Sequence, residues 1–308
     1  MKSRFKLASF ILMFVLVLSG CQGQSRVPPS TTVSELTTVR PEKLGTVDRD
    51  VVFGTGGPIA LRMDVYYPKA ATGPVPAIIY VHGGGWVGGD KNEIPPGYTG
   101  ELTSRGYLVA SINYRLAPTY KFPAPIEDVK CAVRFLRAKA TDYGIDPARI
   151  GAMGASAGGH LVSLLGVTAG VNQFEGTGGW QDQSSKVKAV VDPYGPEDLN
   201  ALFAGAPPFA TAAIFGGSDS KTLDKYSPVS YVAAGNPPFL IIQGDQDVVV
   251  PPAQSQGFYD RLIAAKVPAT LVVVKNAGHS FAPAGGAISP SLPEIYKIVA
   301  DFFDVNLK

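Results

Sequence analysis

Short apolar segments alternate with helical patterns along most of this chain, and this alternation limits the folds open to it. Residues 77–81 and 239–243 are almost continuously apolar, as expected of strands buried on both faces of a sheet. Helical patterns such as residues 253–265 separate these segments, so neighbouring strands can run parallel with helices packed on either face. The pattern predicts an α/β fold with a mostly parallel central sheet flanked by helices.

We expect one domain over residues 46–308, which is long enough to bury a large core. The insertion at residues 196–228 is too apolar for a free surface loop, and we expect it to be an irregular segment that forms a small cap over the site. The other predicted elements are, in chain order, strands at 50–54, 61–67 and 77–81, a helix at 97–105, a strand at 107–113, a helix at 126–143, strands at 149–153 and 187–192 with a helix from residue 157 between them, a strand at 239–243, a helix at 253–265, a strand at 269–274 and a helix at 292–305.

A serine lies between small residues where a predicted strand meets a predicted helix. The segment from Gly154 to Gly158 reads Gly-Ala-Ser-Ala-Gly, with Ser156 at its centre. A serine held at a sharp strand-to-helix turn needs such neighbours, because larger side chains would collide with the adjacent strand and helix. The pentapeptide predicts a nucleophilic serine. An ordinary turn is the alternative, since the chain has 35 glycines.

Three successive glycines follow the buried strand at 77–81, in the segment from His82 to Trp86. Glycines leave backbone N–H groups uncovered and let a substrate come close to them, as an oxyanion hole requires. A glycine-rich loop without a ligand is the alternative. We expect His82 to brace this loop and His160, on the helix after the serine, to be packed and hydrogen-bonded.

Two aspartates and a histidine follow two later strands. Asp245 and Asp247 come directly after residues 239–243, and His279 follows residues 269–274. Parallel strands carry such residues to one edge of the sheet, so these side chains can meet the serine there. In that arrangement a carboxylate orients the imidazole, and the imidazole takes the proton of the serine hydroxyl. Both aspartates are candidates for the acid.

Together these segments resemble the α/β-hydrolase superfamily, and within it the hormone-sensitive-lipase-like carboxylesterases, in particular the acetylxylan/feruloyl-esterase-like branch. The resemblance covers roughly residues 46–308 and keeps the family's order of serine, aspartate and histidine. One departure is Gln243, which stands where such enzymes often have histidine. Because that side chain is not catalytic, we expect the change to matter little. The matching motifs are His82-Gly-Gly-Gly-Trp86, Gly89-Asp-Lys91, Asn113-Tyr-Arg-Leu-Ala-Pro118, Phe122-Pro-Ala124, Gly154 to His160, Gly244-x-x-Asp247-x-x-Val250-Pro251 and Gly278-His-Ser-Phe281.

The resemblance implies a serine carboxylesterase that works through an acyl-enzyme intermediate. Ser156 would be the nucleophile and His279 the general base and then the general acid. Asp247 would orient the imidazole, because it matches the family's acid position three residues after a glycine. The amide of Ala157 is also expected at the oxyanion hole from its place after the nucleophile. The implied oxyanion-hole donors are the backbone amides of Gly84, Gly85 and Ala157.

Aromatic residues near these motifs suggest a substrate pocket lined by Trp86, Trp180 and Phe209. For the two tryptophans, ordinary packing is the alternative. Such a pocket suits short-chain acyl or aryl esters, and acyl groups on plant polysaccharides are candidate substrates. Two alternatives remain open, namely an arylformamidase or amidase on the same fold, and an inactive surface binding lipoprotein. No cofactor is expected, and no metal site, because the few histidines and cysteines form no cluster.

The start of the chain predicts export. Residues 1–20 combine a basic beginning with an apolar core at 7–18, which is typical of a signal peptide. The closing Leu-Ser-Gly-Cys resembles a bacterial lipobox, which implies cleavage before Cys21 and lipid attachment to it. The protein would then be anchored to a membrane of the cell envelope, with its catalytic domain soluble. An ordinary secreted protein or an uncleaved anchor is the alternative.

Residues 21–45 are rich in Ser, Thr, Pro and Gln and are predicted to form a flexible tether. Three of the 27 basic residues belong to the signal segment, which leaves 24 against 25 acidic residues in the rest. No basic patch remains to bind nucleic acid, which is therefore not expected as a partner. Cys131 is expected to be a buried, unpaired thiol.

Overall fold

The computed structural model describes residues 37–308 of the chain. This part contains an eight-stranded sheet with the order β1-β2-β4-β3-β5-β6-β7-β8. Strand β2 is antiparallel to both of its neighbours, β1 and β4, and all other neighbouring strands are parallel. The strands are β1 (Val47–Gly56), β2 (Ile59–Tyr66), β3 (Val75–Val81), β4 (Leu108–Ile112), β5 (Ile145–Gly154), β6 (Val190–Pro193), β7 (Phe239–Gly244) and β8 (Ala269–Val274).

Helices cover both faces of this sheet and divide the core into two apolar layers. One layer lies under α2, α4 and α8, and the other lies under α1 and α9. The predicted α/β fold with a mostly parallel, helix-flanked sheet is confirmed. The α-helices of the described part are α1 (Pro96–Ser104), α2 (Ala124–Ala138), α3 (Ala140–Tyr143), α4 (Ala157–Val167), α5 (Leu199–Leu202), α6 (Pro208–Phe215), α7 (Ser220–Tyr226), α8 (Ala253–Ala264) and α9 (Leu292–Leu307).

The central strand β3 shows why the pattern of the chain produces this arrangement. Every one of its residues is buried. Since successive side chains point to opposite faces of a sheet, Ile78 and Tyr80 enter one layer, while Ala77, Ile79 and Val81 enter the other. A strand that is apolar on both faces is stable only with helices on each side, which the intervening segments provide.

Two predicted segments differ from the structure. The helix expected over residues 126–143 is interrupted at Lys139 and continues as the short helix α3. The expectation that the insertion is irregular is wrong, because it contains α5, α6 and α7. Their starts carry ordinary helix signals, since the side chains of Asp198 and Asp219 accept hydrogen bonds from Ala201 N and Thr222 N. A pair of prolines begins α6 in the same way.

Residues 37–45, the end of the predicted tether, pack against the domain. Val39 is only 3% exposed and belongs to the core. Its backbone runs so close to Gly144 that a Cβ at Gly144 would collide with it, and Gly144 also has the left-handed φ of 66°. The last residues of the predicted tether thus contribute to the packing of the domain predicted from residue 46.

A cluster of charged side chains is buried between α2 and the loop after α4. Lys130 and Arg134 have side chains that are 0% and 1% exposed, and both donate to the carboxylate of Glu175, at 2.8 Å and 2.6 Å. Ser185 Oγ donates to the same carboxylate at 2.9 Å. Cys131, on the same helix, is a free and buried thiol whose pKa burial raises to about 11.

Within residues 37–308, no helix combines the length and apolar character needed to cross a bilayer. The predicted signal peptide at residues 1–20, the lipidation site Cys21 and most of the tether lie outside the described residues.

Candidate active site

Ser156 stands at the sharp turn between β5 and α4. Its backbone has φ 55° and ψ −118°, a conformation that a residue with a side chain adopts only at a cost. The turn is tight enough to require glycine on both sides, because a Cβ at Gly154 would collide with the carbonyl of Gly158, and one at Gly158 with that of Val81. The small residues that mark this turn in the sequence are thus required by the approach of α4 to β3.

The structure joins Ser156, His279 and Asp247 by hydrogen bonds. His279 Nε2 lies 2.9 Å from Ser156 Oγ, and His279 Nδ1 lies 2.8 Å from Asp247 Oδ2. The ionised carboxylate can only accept, so Nδ1 carries the proton and Nε2 accepts from the serine hydroxyl. This is the tautomer in which the imidazole can remove the serine proton.

The carboxylate of Asp247 is held by four donors. Oδ1 accepts from the amides of Val249 and Val250, each at 2.9 Å. Oδ2 accepts from His279 and from Gln243 Nε2, at 3.1 Å. Burial raises the pKa of Asp247, but the hydrogen bonds from His279 and from the two backbone amides outweigh it, so the net pKa is lowered. Asp247 is therefore an anion at neutral pH.

Asp245, the other candidate acid, points elsewhere. Its backbone amide donates to Val274 O at 3.0 Å, and its carboxylate lies 3.6 Å from Lys275 Nζ. The structure therefore brings Asp247 and not Asp245 to the imidazole. It also changes the interpretation of Gln243, expected to matter little, because its side chain contacts the carboxylate that orients His279.

The glycine loop after β3 lies against the serine turn. Val81 pairs with Gly154 in the parallel register of β3 and β5, so both loops leave the same edge of the sheet. Gly84 and Gly85 have φ of 100° and 60°, left-handed values that favour glycine at these two positions. Among the described residues, the amides of Gly84, Gly85 and Ala157 donate to no acceptor. These unused donors are available to a negatively charged oxygen.

Tyr114 and His82 support the loop from below. Their rings stack with centroids 4.3 Å apart, and the tyrosine hydroxyl donates to the carbonyl of His82 at 3.1 Å. His82 Nδ1 lies 2.8 Å from Gly83 O, and burial lowers the pKa of this histidine. His82 therefore contacts the loop backbone rather than the reacting groups, as the sequence suggested.

Trp86, expected in the substrate pocket, is packed among its neighbours, and its role in binding stays a prediction. It is 4% exposed and its Nε1 donates to His160 Nδ1 at 3.2 Å. His160 Nε2 in turn donates to Tyr226 O at 2.8 Å, and burial lowers the pKa of His160 to about 4. The indole also lies against Phe215 of α6, so this neutral chain of contacts joins the glycine loop to the insertion.

The structure places the other two expected pocket residues on separate elements. Trp180 donates to Phe53 O at 2.8 Å and packs on Phe135, and its pocket role stays a prediction. The distant β1 strand was not recognisable as its partner from local sequence. Phe209 lies on α6 and is 77% exposed, and its role in binding stays a prediction.

Tyr194 is a site residue that the sequence did not reveal. It follows β6 directly, and its ring packs edge-on against His279, with centroids 4.9 Å apart, and against Phe281. Burial raises the pKa of Tyr194 to about 12, so the phenol is neutral. Tyr194 follows β6, which lies between the strand before Ser156 and the strand before Asp247. This position in the sequence could have identified it as a site residue.

Two further acids, Asp192 and Glu197, are fully buried behind the serine turn. Asp192 Oδ1 accepts from Gly195 N at 2.9 Å, but Asp192 Oδ2 and both oxygens of Glu197 have no donor among the described residues. Burial, followed by the charge of Asp192, raises the pKa of Glu197 well above its usual range, and burial raises that of Asp192 to about 6. We interpret the pair as sharing a proton held by Glu197. No cluster suited to a metal ion occurs in residues 37–308.

Comparisons with known proteins find a matching family, relatives and structural neighbours for this chain. Residues 63–262 match the model of the BD-FAE family. The esterase LipC of Mycobacterium tuberculosis is 32% identical over 79% of this chain and 64% of its own length, so this chain spans less than two thirds of that relative. A truncated carbohydrate esterase from gut microbiota superposes with a TM-score of 0.75 at 29% identity, over 87% of this chain and 99% of that one. A butyrate-bound esterase from Thermogutta terrifontis superposes with a TM-score of 0.70 at 25% identity, over 86% of this chain and 95% of that one.

Proposed function

The chain belongs to the BD-FAE family and has the α/β-hydrolase fold, and from this premise we propose that it is a serine carboxylesterase. The observation that carries the proposal is the continuous hydrogen-bond chain from Asp247 through His279 to Ser156. Proteins named as esterases among its relatives and structural neighbours support the same reaction class.

In the proposed reaction, Ser156 Oγ attacks the ester carbonyl while His279 Nε2 takes its proton. The carbonyl oxygen becomes an anion that the amides of Gly84, Gly85 and Ala157 can hold, and one such donor typically contributes about 3 kcal/mol to the transition state. The imidazolium then gives its proton to the leaving alcohol, which departs and leaves an acyl-enzyme. Water, deprotonated by the same imidazole, attacks the acyl-enzyme. The bond from the acyl carbon to Ser156 Oγ then breaks, the imidazolium returns the proton to this oxygen, and the acid is released.

We propose short-chain acyl or aryl esters as substrates, with acyl groups on plant polysaccharides as natural candidates. Apolar side chains exposed beside the site support this class. Val87, directly after the glycine loop, is 54% exposed, and Val248 and Val249, directly after the acid, are 88% and 59% exposed. The likeness to a carbohydrate esterase supports a carbohydrate-borne acyl group.

The test is hydrolysis of p-nitrophenyl esters from acetate to long chains by the purified protein, with an acetylated xylan and methyl ferulate in the same panel. Turnover that disappears in Ser156→Ala supports the proposal. Ser163→Ala is the matched control, because Ser163 lies on the same helix, α4, is fully buried and takes no part in the two hydrogen bonds that join Ser156, His279 and Asp247. Failure of the folded protein to hydrolyse any ester would overturn the proposal.

We also propose that the protein is lipidated at Cys21 and anchored to the bacterial cell envelope. The basic, apolar and small residues that end in Leu-Ser-Gly-Cys support this. In a bacterial host fed a labelled fatty acid, the full chain should incorporate label and enter the detergent phase on phase separation. Cys21→Ser should do neither. Labelling that persists in this variant would contradict the proposed site.

A further inference from the structure

Gln243 makes a contact that the triad itself does not account for. It is the next-to-last residue of β7, is 1% exposed, and its Nε2 lies 3.1 Å from Asp247 Oδ2. The same amide nitrogen lies 3.1 Å from Val250 O and 3.3 Å from Gly244 O. Its oxygen accepts from Ser255 Oγ at 2.8 Å. Both ends of the side chain are therefore engaged inside the protein.

These contacts allow only one orientation of the amide. All the atoms around Nε2 are oxygens that can only accept, namely the carboxylate of Asp247 and two backbone carbonyls. Turning the amide over would set Oε1 against these oxygens and leave the carboxylate without a donor. Ser255 in the first turn of α8 supplies the donor that Oε1 needs. The amide is thus held so that its N–H points at the acid.

The donor completes the shell of Asp247. A carboxylate has about four acceptor positions, and here they are taken by the amides of Val249 and Val250, by Gln243 and by His279. With three fixed donors, the carboxylate can turn only by breaking one of them. The remaining position then faces His279 Nδ1 in a single direction.

We propose that Gln243, held by Ser255, is a positioning residue that fixes the Asp247 carboxylate and through it the tautomer and orientation of His279. The expected effect on kcat rests on the proposed function. The expected effect on the Nδ1 proton of His279 does not depend on it. A side chain with no acid–base equilibrium at neutral pH does this without adding a second titrating group beside the triad.

The alternative is that Gln243 only braces the loop after β7 through its bonds to Gly244 O and Val250 O. That role would affect stability but not the imidazole. Gln243→Met removes the donor while nearly keeping the volume, and Gln243→His restores an N–H donor on a planar ring. Gln254→Met is the matched control, since Gln254 is also buried on α8 and bonds to backbone groups of Glu197 and Asp198 without touching the triad.

Two measurements separate these roles. The first is the kcat and KM of each variant on p-nitrophenyl acetate, and the second is the low-field proton NMR signal of the imidazole Nδ1–H in the resting protein. We expect Gln243→Met to lower kcat by about tenfold or more with KM little changed, and to broaden or shift the NMR signal. Gln243→His should recover most of the kcat and most of the NMR signal. Gln254→Met should lower the thermal stability and leave kcat and the NMR signal unchanged.

Ser255→Ala supplies an independent arm. It should give an intermediate loss in kcat, and it should add little in the Gln243→Met background, because both changes act on the same donor. An unchanged NMR signal and kcat in a folded Gln243→Met would overturn the inference. If the unmodified protein hydrolyses no ester, the proposed function fails, whereas the NMR comparison still decides whether Gln243 positions the imidazole.

Discussion

Replacing Glu197 by glutamine should stabilise the protein at alkaline pH and change it little near pH 4.5. In the unfolded chain both buried acids ionise near pH 4, whereas the fold raises the pKa of Asp192 to about 6 and that of Glu197 well above its usual range. At pH values between the unfolded and the native pKa of each acid, the unfolded chain binds fewer protons than the native protein. The free energy of unfolding therefore falls as pH rises, by about 1.4 kcal/mol per pH unit for each group.

For Asp192 alone, the interval from 3.8 to about 6 corresponds to a loss of about 3 kcal/mol. In Glu197→Gln the amide supplies a permanent N–H donor in place of the shared proton, and the negative neighbour that Asp192 would face at high pH is gone. The free energy of unfolding of the variant should therefore exceed that of the unmodified protein by about 1–3 kcal/mol at pH 8. That difference corresponds to roughly 2–4 °C in Tm for each kcal/mol.

The assay is Tm by circular dichroism at half-unit steps from pH 4.5 to 9. The control is Glu294→Gln, since Glu294 is exposed and its pKa is lowered by the side chain and amide of Ser291. Because the fold lowers the pKa of Glu294, its ionised carboxylate stabilises the native protein at pH values above its titration. Glu294→Gln should therefore lower the Tm at high pH, whereas Glu197→Gln should raise it. Parallel Tm curves for Glu197→Gln and the unmodified protein would refute the shared-proton interpretation.

Three other changes test other parts of the molecule. Asp247→Asn should reduce kcat by roughly 10³–10⁴-fold in ester assays while the protein stays folded, because an amide can present an N–H to the imidazole and reverse its tautomer. Glu175→Ala should lower the free energy of unfolding in urea by about 3–5 kcal/mol, since it leaves two buried cations unpaired, whereas the exposed Asp142→Ala should cost under about 1 kcal/mol. Trp86→Phe leaves His160 Nδ1 without its donor and should cost about 1–3 kcal/mol by the same measurement.

The order of strands and helices could be predicted from the sequence because it depends on local patterns. The strand at 239–243 and the helix at 253–265 are visible in the spacing of apolar residues, and they agree with β7 and α8 to within about a residue. The boundaries were harder. β5 begins at Ile145, four residues before the predicted start at 149, because Ile145 is buried and pairs with Val75 while the residues between it and the apolar run are partly exposed.

The meeting of Ser156, Asp247 and His279 was predictable for a similar reason, since each follows a recognisable strand. Their supporting residues were not. Trp180 finds its acceptor on β1, 127 residues away, and Trp86 finds a histidine 74 residues away, so no local pattern could show that both indoles are packed. Gln243 was set aside because its residue type carries no acid–base chemistry, although its contact with Asp247 decides its importance.

The imidazole of His279 meets a serine 123 residues earlier in the chain and an aspartate 32 residues earlier, on loops that follow three different strands. Contacts of such long separation form late in folding, because loop-closure entropy must be overcome before they contribute. A fragment that ends before β8 contains Ser156 and Asp247 but lacks His279. The hydrogen-bond chain from Asp247 to Ser156 is therefore complete only when the loop after β8 has taken its place at the edge of the sheet.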